Sequence, residues 1–327
     1  MNKTSSLPIR TLLTRGFLGC AAAATFILAA GCDKPAASAD GSGGAAPKDG
    51  GIKIGVSFQE MDNPYFVLMK QSVEEMSATI GAKPYFADAR HDVTKQTSDI
   101  EDMIQKGVDI LLLNPTDSVG VEGAVKEAKK AGIVVVTVDA QASGPIDSFV
   151  GSKNYDAGLL AGEFLAKHLN GKGDVAILDG IPVVPILERV RGFKDAIAKY
   201  PDIKIVSTQN GKQERATALS VTENMIQSSP TLAGIFSVND GGALGALSAI
   251  ESSGRDIALV SVDGFSEAVA AIEKGGAFKA TSAQFPRDQI RIALGIALAK
   301  YWGANIPQEI PVDVKLITKE NAKGFSW

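Results

Sequence analysis

The sequence predicts an α/β protein built on parallel sheet, and three observations carry that expectation. Short apolar runs recur between residues 52 and 264, each followed by a longer stretch with helical spacing. The runs are continuously apolar rather than alternating, as in strands that helices bury on both faces. Four of them close on an amide or acid, Asn114, Asp139, Asn239 and Asp263, and open parallel sheets bind ligands outside the carboxyl ends of their strands.

Taken in order, the strands are expected at Ile52 to Ser57, Lys83 to Asp88, Asp109 to Asn114, Ile133 to Asp139, Asp174 to Gly180, Ile203 to Gln209, Ala233 to Asp240 and Ile257 to Gly264. After the first, Asn63 and Pro64 form a helix start. Phe66, Met69, Val73, Met76 and Ile80 then share one helical face. Val121, Ala124, Val125 and Ala128 share another before the fourth strand. The helix GLLAGEFLAKHL carries His168 at its polar end. Such a series of βα units closes into a barrel or splits into two open doubly wound sheets, and periodicity alone leaves both open. Asn and Asp after a strand are by default turn formers and helix caps. Four of them in equivalent places favour a shared site.

The chain has 327 residues, 45% hydrophobic and 21% charged, enough for two ordinary domains with sizeable cores. Its net charge of −4, without a basic run beyond the N-terminus, excludes an electrostatic case for nucleic acid. Lys3, Arg10 and Arg15 precede an uncharged block, Gly16 to Ala30, that ends at Ala29-Ala30-Gly31-Cys32. This is the layout of a secretory signal over residues 1–32, and the block is shorter than the roughly 20 residues a bilayer core requires. Small residues before Cys32 resemble a bacterial lipobox, which predicts acylation of that thiol, with ordinary secretion as the alternative. Cleavage there leaves no cysteine pair, so neither a disulfide nor a Cys-based metal site is expected. Residues 33–51 contain only Ala, Gly, Ser, Pro, Asp and Lys, a flexible linker.

Chemistry is sparse. His91 and His168 are the only histidines, which gives a His-based triad little to work with. There is no phosphate-binding GxxxxGK[ST] loop, and Gly241, Gly242 and Gly245 lack the dinucleotide spacing. Asp139 and Asp263 are a pair of carboxylates suited to acid and base roles, but no nucleophile or metal cluster accompanies them. Hydrogen bonding to a ligand outranks catalysis. No enzyme activity, cofactor or metal is expected.

Seven stretches in order resemble the ribose-binding-protein group of periplasmic sugar-binding proteins: DNPYFVLMK from Asp62, ILLLNPTDS from Ile110, VVVTVDAQA from Val134, ERVRGF from Glu188, FSVNDGGALGAL from Phe236, VDG from Val262 and ATSAQFPRDQI from Ala280. The resemblance implies the type I periplasmic binding protein fold, two doubly wound parallel-sheet domains joined by a three-crossover hinge. It places the crossings near residues 151–154, 284–285 and 312–313. The N-terminal lobe is then 52–152 plus 285–312, and the C-terminal lobe 153–284 plus 313–327. It also implies a ligand enclosed by hinge closure.

Carried over by resemblance, the ligand positions are Gln59, Asn63, Tyr65, Phe66, Asn114, Asp139, Ala140, Arg189, Gln213, Asn239, Asp263 and Gln284. Their chemistry suits a polyhydroxylated molecule: carboxylates accept from hydroxyls, a guanidinium donates in a planar fork, and amides do both. Ala140 stands where ribose binders carry Arg, Gln213 where they carry an aromatic, and Val262 replaces an aromatic before Asp263. These departures point away from ribose, to another monosaccharide or a sugar alcohol read in part by Gln141 or Gln213.

The expected role is that of the substrate-binding component of an ABC importer. It would be monomeric, periplasmic and held at the inner membrane through Cys32, presenting its closed form to a permease. The alternative is sensing of a sugar or furanose signal through a chemoreceptor or sensor kinase. A transcription regulator and an envelope enzyme rank below both.

Overall fold

The structure, a computed structural model, describes residues 51–327. The expected signal segment, Cys32 and linker residues 33–50 lie outside the described residues. No helix among the described residues is long and apolar enough to cross a membrane.

The first part of the chain runs β1 (Lys53–Phe58), α1 (Pro64–Ile80), β2 (Lys83–Asp88), α2 (Val93–Gln105), β3 (Ile110–Leu113), α3 (Glu122–Lys130), β4 (Val134–Val138) and β5 (Ser148–Ser152). It continues with α4 (Asn154–His168), β6 (Lys172–Asp179), α5 (Val184–Ile197), β7 (Asp202–Asn210), α6 (Arg215–Ser228), β8 (Leu232–Ser237), α7 (Asp240–Ser253), β9 (Ala258–Asp263), α8 (Ser266–Lys274) and β10 (Phe278–Ala283). Last come α9 (Pro286–Tyr301), β11 (Glu309–Val312) and β12 (Lys315–Thr318).

The strands form two open six-stranded sheets rather than a barrel, in the orders β11-β5-β4-β3-β1-β2 and β12-β10-β9-β8-β6-β7. β10 and β12 pair antiparallel, and the other ladders are parallel. The chain passes between sheets after β5, after β10 and after β11. After β10 the helix α9 returns to the first sheet, where Ile290, Ala293 and Leu294 pack on Ile54, Val56 and Val136.

The four strands without an apolar run in the sequence have identifiable reasons. β10 is FKATSA, and its buried Thr281 and Ser282 are satisfied by Asp240 and by the Ala157 carbonyl. β11 contains Pro311, which suits its place at a sheet edge where one face of the backbone needs no partner. β5 and β12 are short and rich in polar or small residues.

The face expected on α1 holds from Phe66 to Val73, but Ile80 is 44% exposed because the last turn runs past the sheet into the left-handed cap at Gly81. Val121, Ala124, Val125 and Ala128 are buried. In the second lobe α4 and α5 cross closely. A Cβ at Gly158 would lie 1.9 Å from the Arg189 carbonyl oxygen, and one at Gly192 would lie 2.0 Å from that of Tyr155. This contact fixes α5 and with it the Arg189 side chain.

Candidate ligand-binding site

The carboxyl ends of both sheets face one cavity. From the first lobe come Gln59 and Glu60 after β1, Asn63, Tyr65 and Phe66 at the start of α1, Thr116 after β3, and Asp139 after β4. From the second come Arg189 on α5, Gln213 after β7, Asn239 after β8 and Asp263 at the end of β9, with Gln284 at the crossing after β10. The cavity volume is about 80 Å³. That is room for a small solute, on the order of five to eight waters.

Local folding places each group. Asn63 caps α1 by accepting from the Tyr65 N–H at 3.0 Å, while its amide donates to Glu60 at 3.2 Å. Asn239 likewise caps α7 through the Gly242 N–H at 3.0 Å and donates to the Gln213 carbonyl at 3.3 Å. Both residues thus serve as helix caps and cavity lining together. Asp139, Gln213 and Asp263 hold positive φ of 67°, 62° and 134°. Such conformations cost about 1–3 kcal/mol each in non-glycine residues and gather at functional sites. At Asp139 the Ala140 N–H bonds back to the Val138 carbonyl at 2.8 Å, a tight turn that presents the carboxylate to the cavity.

One polar network runs along the hinge side. Arg189 donates to Asn154 at 2.8 Å, to the Val238 carbonyl at 2.9 Å and to Asp263 at 3.3 Å. Gln284 donates to the same Asp263 oxygen at 2.8 Å and accepts from the Tyr65 hydroxyl at 3.5 Å. Gln289 donates to that hydroxyl at 2.6 Å and to Ser152 at 2.7 Å. Beneath the cavity Asn114 accepts from the Gln59 N–H at 3.2 Å and donates to the Val138 carbonyl at 3.2 Å and to Asp139 at 3.4 Å.

Burial pushes the Asp139 carboxyl up to about 6; the nearby Arg189 charge opposes this and Asp263 reinforces it. Asp263 is also raised by burial, against the pull of Arg189, the Asp240 N–H and Gln284. Asp240 is pushed to about 7 by burial and by Asp263. It lies behind the site and is saturated by Ser261, Thr281 and the Gly264 and Phe265 N–H groups. Within the cavity Asp139 is the under-supplied acceptor, its bond from Asn114 long at 3.4 Å, and Thr116 Oγ1 in the lining is buried without a partner. A molecule carrying several hydroxyls supplies what these groups lack.

Two residues expected at the site lie outside the cavity lining. Asn114 does not line the cavity; it is fully buried and positions Asp139. Gln141 lies outside it as well, exposed beside a second groove near Lys153 and Asn154, because the turn at Asp139 directs the chain outward. Val262 belongs to the core of the second lobe. The histidines also lie elsewhere: His91 pairs with Glu60 on an exposed edge, and His168 stacks on Phe164.

Several contributors were not visible beforehand. Glu60, Pro115, Thr116, Ser118, Ile181, Val183, Pro185 and Ile186 also line the cavity. The run IPVVPI, apolar where a solvated loop was due, was the signal for four of them. Trp327 sits behind the site, its indole N–H donating to the Asp263 carbonyl at 3.1 Å. Its ring meets Tyr65 at 5.8 Å and Phe265 at 5.2 Å, both edge-on.

The periplasmic binding protein domain matches residues 54–303 of this chain. The ribose import binding protein of Bacillus subtilis is 38% identical over 282 residues, spanning 84% of this chain and 92% of its own. A periplasmic solute binding protein of an Actinobacillus succinogenes ABC transporter, solved with bound D-allose, has a TM-score of 0.79 at 32% identity and covers 84% of this chain and all (100%) of its own. A second ABC transporter solute binding protein, from Mycobacterium smegmatis with bound glycerol, has a TM-score of 0.80 at 32% identity, covering 84% of this chain and 96% of its own. By its matched domain, its paired open sheets and its shared cleft, the chain belongs to the periplasmic binding protein family, alongside the ribose import binding proteins.

Proposed function

We propose that the chain captures a monosaccharide or sugar alcohol in the periplasm and delivers it to the permease of an ABC importer, without chemical turnover. The observation that carries this reading is a pair of carboxylates, half-buried Asp139 and buried Asp263, near the Arg189 guanidinium in a cleft between two lobes. Asp139, which accepts from Asn114 only at 3.4 Å, keeps acceptor capacity for hydroxyl donors. The ligand contacts are assigned to Gln59, Asn63, Tyr65, Phe66, Asp139, Arg189, Gln213, Asn239, Asp263 and Gln284, with Asn114 as a positioning residue. The hinge is assigned to the crossings after β5, β10 and β11, so that closure over the ligand produces the shape the permease reads. The relatives solved with D-allose and glycerol support a ligand of this size and chemistry. Anchoring through Cys32 belongs to the same proposal.

The test is a thermal-shift screen of ligand-stripped protein against pentoses, hexoses, tetritols, pentitols, inositols and furanose signals. A ligand that binds only the folded state raises the midpoint with concentration, by about 2.7 kcal/mol of stability at one hundred times Kd. A flat response across all classes contradicts the proposal.

A further inference from the structure

Asp263 reaches the cavity from an unfavourable backbone. Its φ is 134° and that of Gly264 is 87°, so two successive residues lie in the region that favours glycine. The turn carries the chain from β9 into α8, whose N-cap residue, Phe265, has no capping side chain. The N–H groups of this turn must find their acceptors elsewhere in the fold.

They find them on Asp240, in the first turn of α7. Asp240 is fully buried and does not line the cavity. Its Oδ2 accepts from the Gly264 N–H at 2.8 Å and from the Phe265 N–H at 2.7 Å. Its Oδ1 accepts from Thr281 Oγ1 on β10 at 2.8 Å and from the Ser261 hydroxyl on β9. The Asp240 N–H in turn donates to Asp263 Oδ2 at 3.2 Å. Asp240 therefore grips both the backbone that follows Asp263 and the Asp263 carboxylate. A buried charge is costly, so its place here calls for more than the filling of a core.

We infer that Asp240 is a positioning residue for ligand binding: by holding the Gly264 and Phe265 N–H groups it fixes the turn that aims the Asp263 carboxylate into the cavity. This rests on the proposed function, in which Asp263 contacts the ligand and Asp240 acts through it. Asp240→Asn keeps the grip, because Oδ1 of the amide accepts from the two N–H groups while Nδ2 donates to the Thr281 and Ser261 oxygens, whose hydroxyls can turn. Asp240→Ala leaves four buried donors without that acceptor.

Trp327 reports on the turn, since it donates to the Asp263 carbonyl and packs on Phe265. The only other tryptophan, Trp302, is 56% exposed, and Trp302→Phe leaves Trp327 as the single indole. In that background Asp240→Ala, Asp240→Asn and Thr281→Val are compared with Met225→Ala, a core truncation in the same lobe. Trp327 emission is read without ligand, and calorimetry titrates folded protein with D-ribose, D-allose, xylitol, myo-inositol and glycerol. Asp240→Ala is expected to red-shift the emission and to weaken the best probe by about tenfold or more. Thr281→Val, which removes one donor to Asp240, moves both readouts the same way by less and stands in if Asp240→Ala does not fold. Asp240→Asn and Met225→Ala keep the parental emission and an affinity within about threefold. Parental emission and affinity in Asp240→Ala, or in Thr281→Val as its stand-in, overturn the inference. Equal losses in Asp240→Asn or Met225→Ala overturn it too, since charge or general stability would then be the cause. A parent that binds none of the probes counts against the proposed function, and Trp327 emission still decides whether Asp240 holds the turn.

Discussion

Replacing Asp139 by asparagine makes a specific demand on the electrostatics of the empty cleft. The carboxyl is pushed from its ordinary 3.8 to about 6, chiefly by burial. A carboxyl raised in the folded state favours folding when protonated. Its contribution is fully present below pH 3.8 and is lost as pH rises through about 6. The gap is worth about 3 kcal/mol against the ligand-free protein at neutral pH. The substituted amide keeps the shape and the bond from Asn114 while removing the charge. Arg189 loses one nearby charge but keeps Asp263, Asn154 and the Val238 carbonyl, which trims the gain. The D139N protein is therefore expected to be more stable than the parent by about 1–3 kcal/mol at pH 7.5. At about 2–4 °C per kcal/mol for chains of this size the change is readily measured. Urea or thermal unfolding of ligand-stripped protein from pH 4 to pH 8 gives the answer, with the advantage shrinking towards pH 4. Equal or lower stability of D139N at pH 7.5, or a difference that ignores pH, means that the Asp139 carboxyl is not destabilised by its surroundings.

Ligand affinity should move in the opposite sense with pH, because hydroxyls donate best to an ionised carboxylate. Binding weakens below pH 6 by up to about tenfold per pH unit as Asp139 protonates, and calorimetry showing equal affinity at pH 7.5 and pH 5 counts against its acceptor role. Trp327→Phe keeps an aromatic ring against Tyr65 and Phe265 but removes the hydrogen bond to the Asp263 carbonyl. A loss of about 1 kcal/mol in stability and a several-fold weaker ligand affinity are expected, and parental values for both mean that Trp327 does not hold Asp263 in place. Cys32→Ser should move the protein from the membrane to the soluble fraction of fractionated cells; a soluble parent that lacks lipid by mass spectrometry removes the anchor.

The apolar strands were legible because their periodicity and their buried, unalternating character come from one cause, a sheet covered on both faces. β10 escaped since Thr281 and Ser282 look solvent-facing until Asp240 and the Ala157 carbonyl are brought beside them by the fold. Asp139 and Asp263 were legible as strand ends, but their shared Arg189 and their raised pKa values arise only when three separate chain segments meet. Gln141 was misplaced because a positive φ at Asp139, two residues earlier, changes which residues face inward, and sequence spacing carries no sign of that turn. Trp327, 64 residues from Asp263 in the chain, offered no local signal at all.

The central claim is that a small hydroxylated ligand binds between the lobes on Asp139. Its most direct test is calorimetric titration of the best sugar or polyol from the screen into ligand-stripped parent and Asp139→Ala protein. One site per chain is expected in the parent, and no measurable binding in a variant that remains folded. Undiminished binding in Asp139→Ala would contradict it.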